Sequence, residues 1–201
     1  MAKSKMNLPN KLSLFRICMV PVFMVFFAVP LPLSETVTRI IIAAIFAITS
    51  LTDMIDGKIA RKYNLVTDFG KFIDPLADKF LVFAALLGIL TNGYFEAIRP
   101  YFFWAAAIII FRELAVTSIR LIAAGKSGLV IAASWLGKLK TVSQMCGIVI
   151  ILLEPVIFGG LTTVAGLPII SMVLIVIMTV MTLWSGIDYL KSYWGFLDAD
   201  K

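Results

Sequence analysis

The sequence predicts an all-α integral membrane protein, a six-transmembrane-helix bundle with both termini cytoplasmic. Three observations carry that reading. Of the 201 residues, 61% are hydrophobic and only 15% charged, and the mean hydropathy is +1.00, whereas a soluble domain is roughly one half apolar. The apolar runs are continuous and do not alternate, which favours helices over strands. Lysine and arginine gather on alternate connections, as they do on the cytoplasmic side of a membrane protein.

Six runs reach or approach the roughly 20 residues that a span requires: 12–29, 38–56, 74–90, 101–121, 136–153 and 167–190. Before the first, MAKSKMNLPNKLSLFR mixes basic and apolar residues. An amphipathic segment lying on the membrane and a frayed tail are both open there. Pro9-Asn10 followed by Ser13 reads as a short turn leading into a helix. The first span resembles a signal-peptide core, but AVPLPLS is a poor cleavage site, so a retained anchor is expected. The second and third spans each end in an acidic stretch. No long linker, low-complexity tract or repeat interrupts the chain, so 1–201 reads as one membrane domain.

Orientation follows from the cations. Lys3, Lys5, Lys11 and Arg16 precede or enter the first span. Lys58, Arg61, Lys62 and Lys71 lie between the second and third, and Arg120, Lys126, Lys138 and Lys140 between the fourth and fifth. Lys191 and Lys201 follow the sixth. The opposite connections hold only Arg39 and Arg99, beside Glu35, Glu96 and Glu154. The net charge of +6 follows from this asymmetry. It suits anionic headgroups and phosphates, and no aromatic-basic run suggests nucleic acid.

Cys18 and Cys146 fall inside spans and read as small buried apolar residues. The chain has no histidine, so acid–base or metal chemistry must rest on carboxylates, lysine or tyrosine. The stretch DMIDGKIARKYNLVTDFGKFIDPLAD holds five acids: Asp53, Asp56, Asp68, Asp74 and Asp78. On a helix, Asp53 and Asp56 stand about 60° apart, and Asp74 and Asp78 about 40° apart, each pair on one face. If those faces meet, four carboxylates converge. Their repulsion requires compensation, by lysine and arginine or by a divalent cation. All-oxygen ligands suit magnesium, manganese or calcium. Asp74 has a second reading, as an N-cap with Pro75 at the first helical position.

Asp53, Asp56, Gly57, Ala60, Arg61, Gly70, Asp74 and Asp78 spell D-x2-D-G-x2-A-R-x8-G-x3-D-x3-D. This pattern resembles the signature of the CDP-alcohol phosphotransferase family, and the six-span layout resembles it too. The resemblance implies transfer of a phosphate-linked group from a CDP-activated donor to an alcohol, with release of CMP. It implies that Asp53, Asp56, Asp74 and Asp78 hold two divalent metal ions, Mg2+ or Mn2+, and that Asp78 is the catalytic base. Gly57, Ala60, Arg61, Asp68 and Gly70 would line the CDP site.

The segments NLPNKLSLFR, FRELAVTSIRLIAAGKSG and SWLGKLKTVSQM resemble the phosphatidylglycerophosphate-forming branch. There the donor is CDP-diacylglycerol and the acceptor sn-glycerol 3-phosphate. Asn10 and Arg16 would lie near the donor's phosphates. Arg112 and Arg120, eight residues apart on one side of the fourth span, would join Lys138 and Lys140 to bind the acceptor's phosphate. Glu113 pairs with a basic neighbour that the sequence does not identify. Other acceptors (inositol phosphate, serine or phosphatidylglycerol) and a small membrane transporter are the rival readings. A homodimer in a bacterial cell membrane, its site facing the cytoplasm, completes what the resemblance implies.

Overall fold

A computed structural model describes residues 7–62, 68–127 and 135–194. For residues 8, 9, 53–62, 68, 69, 71, 72, 74, 75 and 123–127 the description stops at the backbone. Among the described residues six α-helices follow one another: α1 (Leu8–Ala28), α2 (Glu35–Lys62), α3 (Asp68–Thr91), α4 (Arg99–Ser127), α5 (Trp135–Phe158) and α6 (Ile169–Tyr193). Five carry stretches long and apolar enough to cross a membrane: Asn10–Ala28, Glu35–Thr52, Arg99–Ile122, Trp135–Phe158 and Ile169–Tyr193. The protein is therefore an all-helical, multi-pass membrane protein. Its outward faces agree, with Trp104, Phe111, Leu121, Val176 and Trp184 all exposed. In water such a surface would aggregate, whereas lipid solvates it.

The chain divides into two compact units, residues 1–96 with 155–157 and residues 97–154 with 158–201. In the first unit α1 packs along both α2 and α3, which also touch each other. The Asn7 side chain caps α1 by accepting from the Asn10 amide at 3.2 Å, and Pro9 sits in the first turn, where its missing N–H costs nothing. The helix therefore starts earlier than the turn expected around Pro9-Asn10. Pro30 and Pro32 follow its end and prevent its continuation. Phe23, Phe27, Phe46 and Phe95 form the aromatic core, with Phe23 and Phe27 edge-to-face at 5.1 Å. Gly88 is required there, because a Cβ would stand 2.5 Å from the Phe27 ring. Asn92 Nδ2 donates to the Phe27 carbonyl at 3.0 Å, satisfying an acceptor at the end of α1. Arg39, expected in a connection, is buried within α2. Its Nε donates to Glu35 at 2.8 Å, its Nη2 donates to the Tyr94 carbonyl at 2.6 Å, and its guanidinium lies over the Phe95 ring.

In the second unit α4 packs along α6. Gly147 of α5 lies against Met178 of α6, where a Cβ would meet the thioether sulfur. Before α6 a two-residue hairpin pairs β1 (Thr163–Val164) with β2 (Leu167–Pro168). Ala165 and Gly166 turn it with φ of 51° and 80°, as a tight hairpin requires. The hairpin takes the first two residues of the expected sixth span, so α6 begins at Ile169. Cys18 and Cys146 are free thiols, exposed and not buried; a small apolar thiol suits a lipid-facing surface as well as a core.

Candidate active site

The first unit carries the aspartate signature. Asp53, Asp56, Gly57, Ala60 and Arg61 belong to the last turns of α2, while Asp68, Gly70, Asp74 and Asp78 belong to the first half of α3. The side chains of Asp53, Asp56, Ala60, Arg61, Asp68 and Asp74 lie outside the described ones, as does Gly57. Asp74 falls inside α3, which begins at Asp68, so it is not an N-cap. Gly70 is buried and Asp78 half-buried. Among the described residues no group of three His, Cys, Asp or Glu side chains converges. The donor set still fits divalent ions in kind: four carboxylates, two on each of two touching helices, are the hard oxygen ligands that magnesium and manganese prefer. At the start of the chain Asn10 and Arg16 are both buried on α1, Arg16 completely.

The second unit holds the cations. Glu113 of α4 receives two of them on one oxygen. Arg112 Nη1 donates to Oε1 at 3.0 Å, and Lys140 Nζ of α5 donates to the same Oε1. Lys140 and Arg112 are thus the basic partners that the sequence left unnamed. Arg112 Nη2 donates to Ser185 Oγ of α6 at 2.6 Å. Two turns further along α4, Arg120 Nε donates to Tyr189 Oη at 2.8 Å, with the guanidinium 5.2 Å from the ring centre. The contacts Arg112–Ser185 and Arg120–Tyr189 advance together along both chains, so α4 and α6 run parallel. Lys138 is exposed. Two residues from Lys140, it points to another side of α5.

The structure therefore brings Arg112 and Lys140 together, holds Arg120 against Tyr189 and leaves Lys138 on the surface. Sequence reasoning missed Ser185 and Tyr189. Their i,i+4 spacing on a span was a usable signal, because a polar pair on one face of an apolar helix needs partners.

A helical membrane protein that carries a carboxylate signature on one helix pair and paired cations on other helices is suited to moving a phosphate-linked group beside lipid. Residues 6–185 match the sequence profile of CDP-alcohol phosphatidyltransferase, and the chain belongs to that family. It is 40% identical to the CDP-diacylglycerol–glycerol-3-phosphate 3-phosphatidyltransferase of Bacillus subtilis, over 97% of this chain and 99% of that one. Enzymes of the same name from Salmonella typhimurium and Escherichia coli are 36% and 35% identical, covering 95% and 92% of this chain and 97% and 94% of theirs.

Proposed function

We propose that the protein transfers the phosphatidyl group of CDP-diacylglycerol to sn-glycerol 3-phosphate, giving phosphatidylglycerophosphate and CMP. The observation that carries this reading is the match, along nearly the whole of both chains, to relatives named for that reaction. The unbroken aspartate signature supports the same class of chemistry.

Asp53, Asp56, Asp74 and Asp78 would hold two divalent ions, Mg2+ or Mn2+. Bound there, such ions would offset the charge of the diphosphate and of departing CMP. Gly57, Ala60 and Gly70 are small enough to admit cytidine, with Arg61 and Asp68 at its edge and Asn10 and Arg16 towards the donor's phosphates. Arg112, Arg120 and Lys140 would receive the acceptor's phosphate, with the exposed Lys138 contributing only weakly from the rim. Asp78 accepts the proton of the acceptor's primary hydroxyl. The hydroxyl oxygen bonds to the phosphorus that carries diacylglycerol, and the bond from that phosphorus to CMP breaks.

The whole chain acts as one membrane domain, with α3 as a sixth span, both termini in the cytoplasm and the site open to it. The positive bias of the connections supports this orientation. A bacterial cell membrane accords with the bacterial relatives, and the homodimer rests on the family resemblance alone. Acceptor-dependent CMP release by the purified protein tests the reading. Release with serine or an inositol phosphate, and none with glycerol 3-phosphate, would move the protein to another branch of the family.

A further inference from the structure

We propose that Glu113 is a positioning residue of the acceptor site. Its carboxylate holds the Arg112 guanidinium and the Lys140 ammonium side by side, so that an anionic acceptor meets a fixed pair of cations. The inference rests on the functional reading above, which assigns Arg112 and Lys140 to the acceptor's phosphate.

Three observations carry it. One oxygen, Glu113 Oε1, takes both cations. All three side chains are withdrawn from the surface, with 12% of Arg112, 12% of Glu113 and 5% of Lys140 exposed. The guanidinium is also fixed from α6. Buried Ser185 accepts from Nη2, and Gly186 lets the Arg112 stem lie so close that a Cβ would stand 3.1 Å from Cγ. Three helices thus contribute to one arrangement.

Two cations side by side inside a membrane protein repel, and each is costly without a counter-ion. A single carboxylate makes the pairing tolerable and leaves the trio with a net positive charge. The guanidinium keeps an N–H donor that Glu113 and Ser185 do not use: Arg112 Nε is buried and has no hydrogen-bond partner among the described residues. That donor is open to a phosphate. Glu113 would itself repel that phosphate, so it acts through its two partners and not by contact. The other charged groups nearby are placed differently: Arg120 is engaged by Tyr189, Lys138 is exposed, and Asp188 of α6 is half-buried.

The test is steady-state CMP release by the purified full-length protein in detergent micelles, varying CDP-diacylglycerol and glycerol 3-phosphate separately. Glu113→Gln keeps the shape and removes the charge. It is expected to raise the acceptor KM roughly tenfold or more while the donor KM stays within about twofold. Glu113→Asp keeps the charge on a shorter stem and is expected to fall between wild type and Glu113→Gln. If Glu113→Gln does not fold, as judged by thermal unfolding in detergent, the Asp variant carries the test by the same split between acceptor and donor KM. Combined with Lys140→Met, Glu113→Gln should lose little more than the worse single variant, because both remove one coupled arrangement. Equal rises in both KM values, additive losses in the double variant, or an Asp variant as impaired as Glu113→Gln would overturn the inference. So would an active wild type whose Glu113→Gln variant is indistinguishable from it, and in that case the functional reading stands. A wild type with no release dependent on glycerol 3-phosphate overturns that reading, and this inference with it.

Discussion

Glu113 and Glu154 are two carboxylates of the same unit, both withdrawn from the surface and held in opposite ways. Glu154, near the end of α5, is satisfied entirely by neutral donors. It accepts from Thr162 Oγ1 at 2.7 Å, from the Ile170 amide at 3.2 Å, from the Ser171 amide at 2.7 Å and from the Ser171 hydroxyl. The two amides belong to the first turn of α6, whose own N-cap is Pro168 and offers no side-chain cap. Glu154 therefore caps the next helix, where a negative charge also meets the positive end of the helix dipole. Glu113 takes two cations instead, and one of them, Arg112, keeps a buried Nε with no partner among the described residues. A buried acid saturated by neutral groups serves the fold, whereas one that bridges cations holds them as a fixed pair.

Substitutions can break or sharpen this contrast. The largest effect is expected at Asp78, the acid assigned to the chemistry itself. Asp78→Asn should lower kcat by about 10³-fold without shifting the unfolding transition in detergent, as measured by CMP release and by thermal unfolding. Glu154→Ala should do the reverse. Orphaning its donors should lower the unfolding free energy by about 3 kcal/mol, with both KM values unchanged in the protein that remains folded. A Glu154→Ala variant that unfolds normally and loses acceptor affinity would erase the distinction between the two acids.

Weaker effects grade the cation side. Tyr189→Phe removes the hydroxyl that Arg120 meets but keeps the ring beneath the guanidinium. The acceptor KM should rise by a factor of about five, corresponding to one lost hydrogen bond of roughly 1 kcal/mol. Lys138→Ala removes an exposed charge, and the acceptor KM should change by no more than about twofold. If Lys138→Ala proves as damaging as Tyr189→Phe, the exposed lysine belongs with the engaged cations.

The helices were largely legible in the sequence, because long continuous apolar runs in a chain poor in charge admit few other structures. Their ends were less so. The Asn7 cap carried α1 back to Leu8, and positive φ at Ala165 and Gly166 turned two residues of the expected sixth span into a strand. Arg39 and Glu154 were read as residues of connections because charge is usually excluded from spans. Each lies inside a helix because a specific set of partners satisfies it: Glu35, Tyr94 and Phe95 for Arg39, and Thr162, Ile170 and Ser171 for Glu154. Such partners lie up to 56 residues away in the chain, and hydropathy does not register them. The aspartate signature was legible because its spacing is fixed within one short stretch. The cation pairing was legible only as a set of candidates. Glu113 has a basic neighbour at Arg112, but choosing Lys140, 27 residues further on, required knowing that its side chain reaches from α5 to α4.

The central claim is that this chain joins a lipid-linked cytidine nucleotide to a phosphorylated alcohol with carboxylates that hold divalent ions. The most direct measurement is CMP release from CDP-diacylglycerol by purified protein, with and without glycerol 3-phosphate, in magnesium or manganese and then in excess chelator. Release should require the alcohol, stop in chelator and return when the metal is restored. Release at full rate in chelator, or at the same rate without glycerol 3-phosphate, would contradict the account.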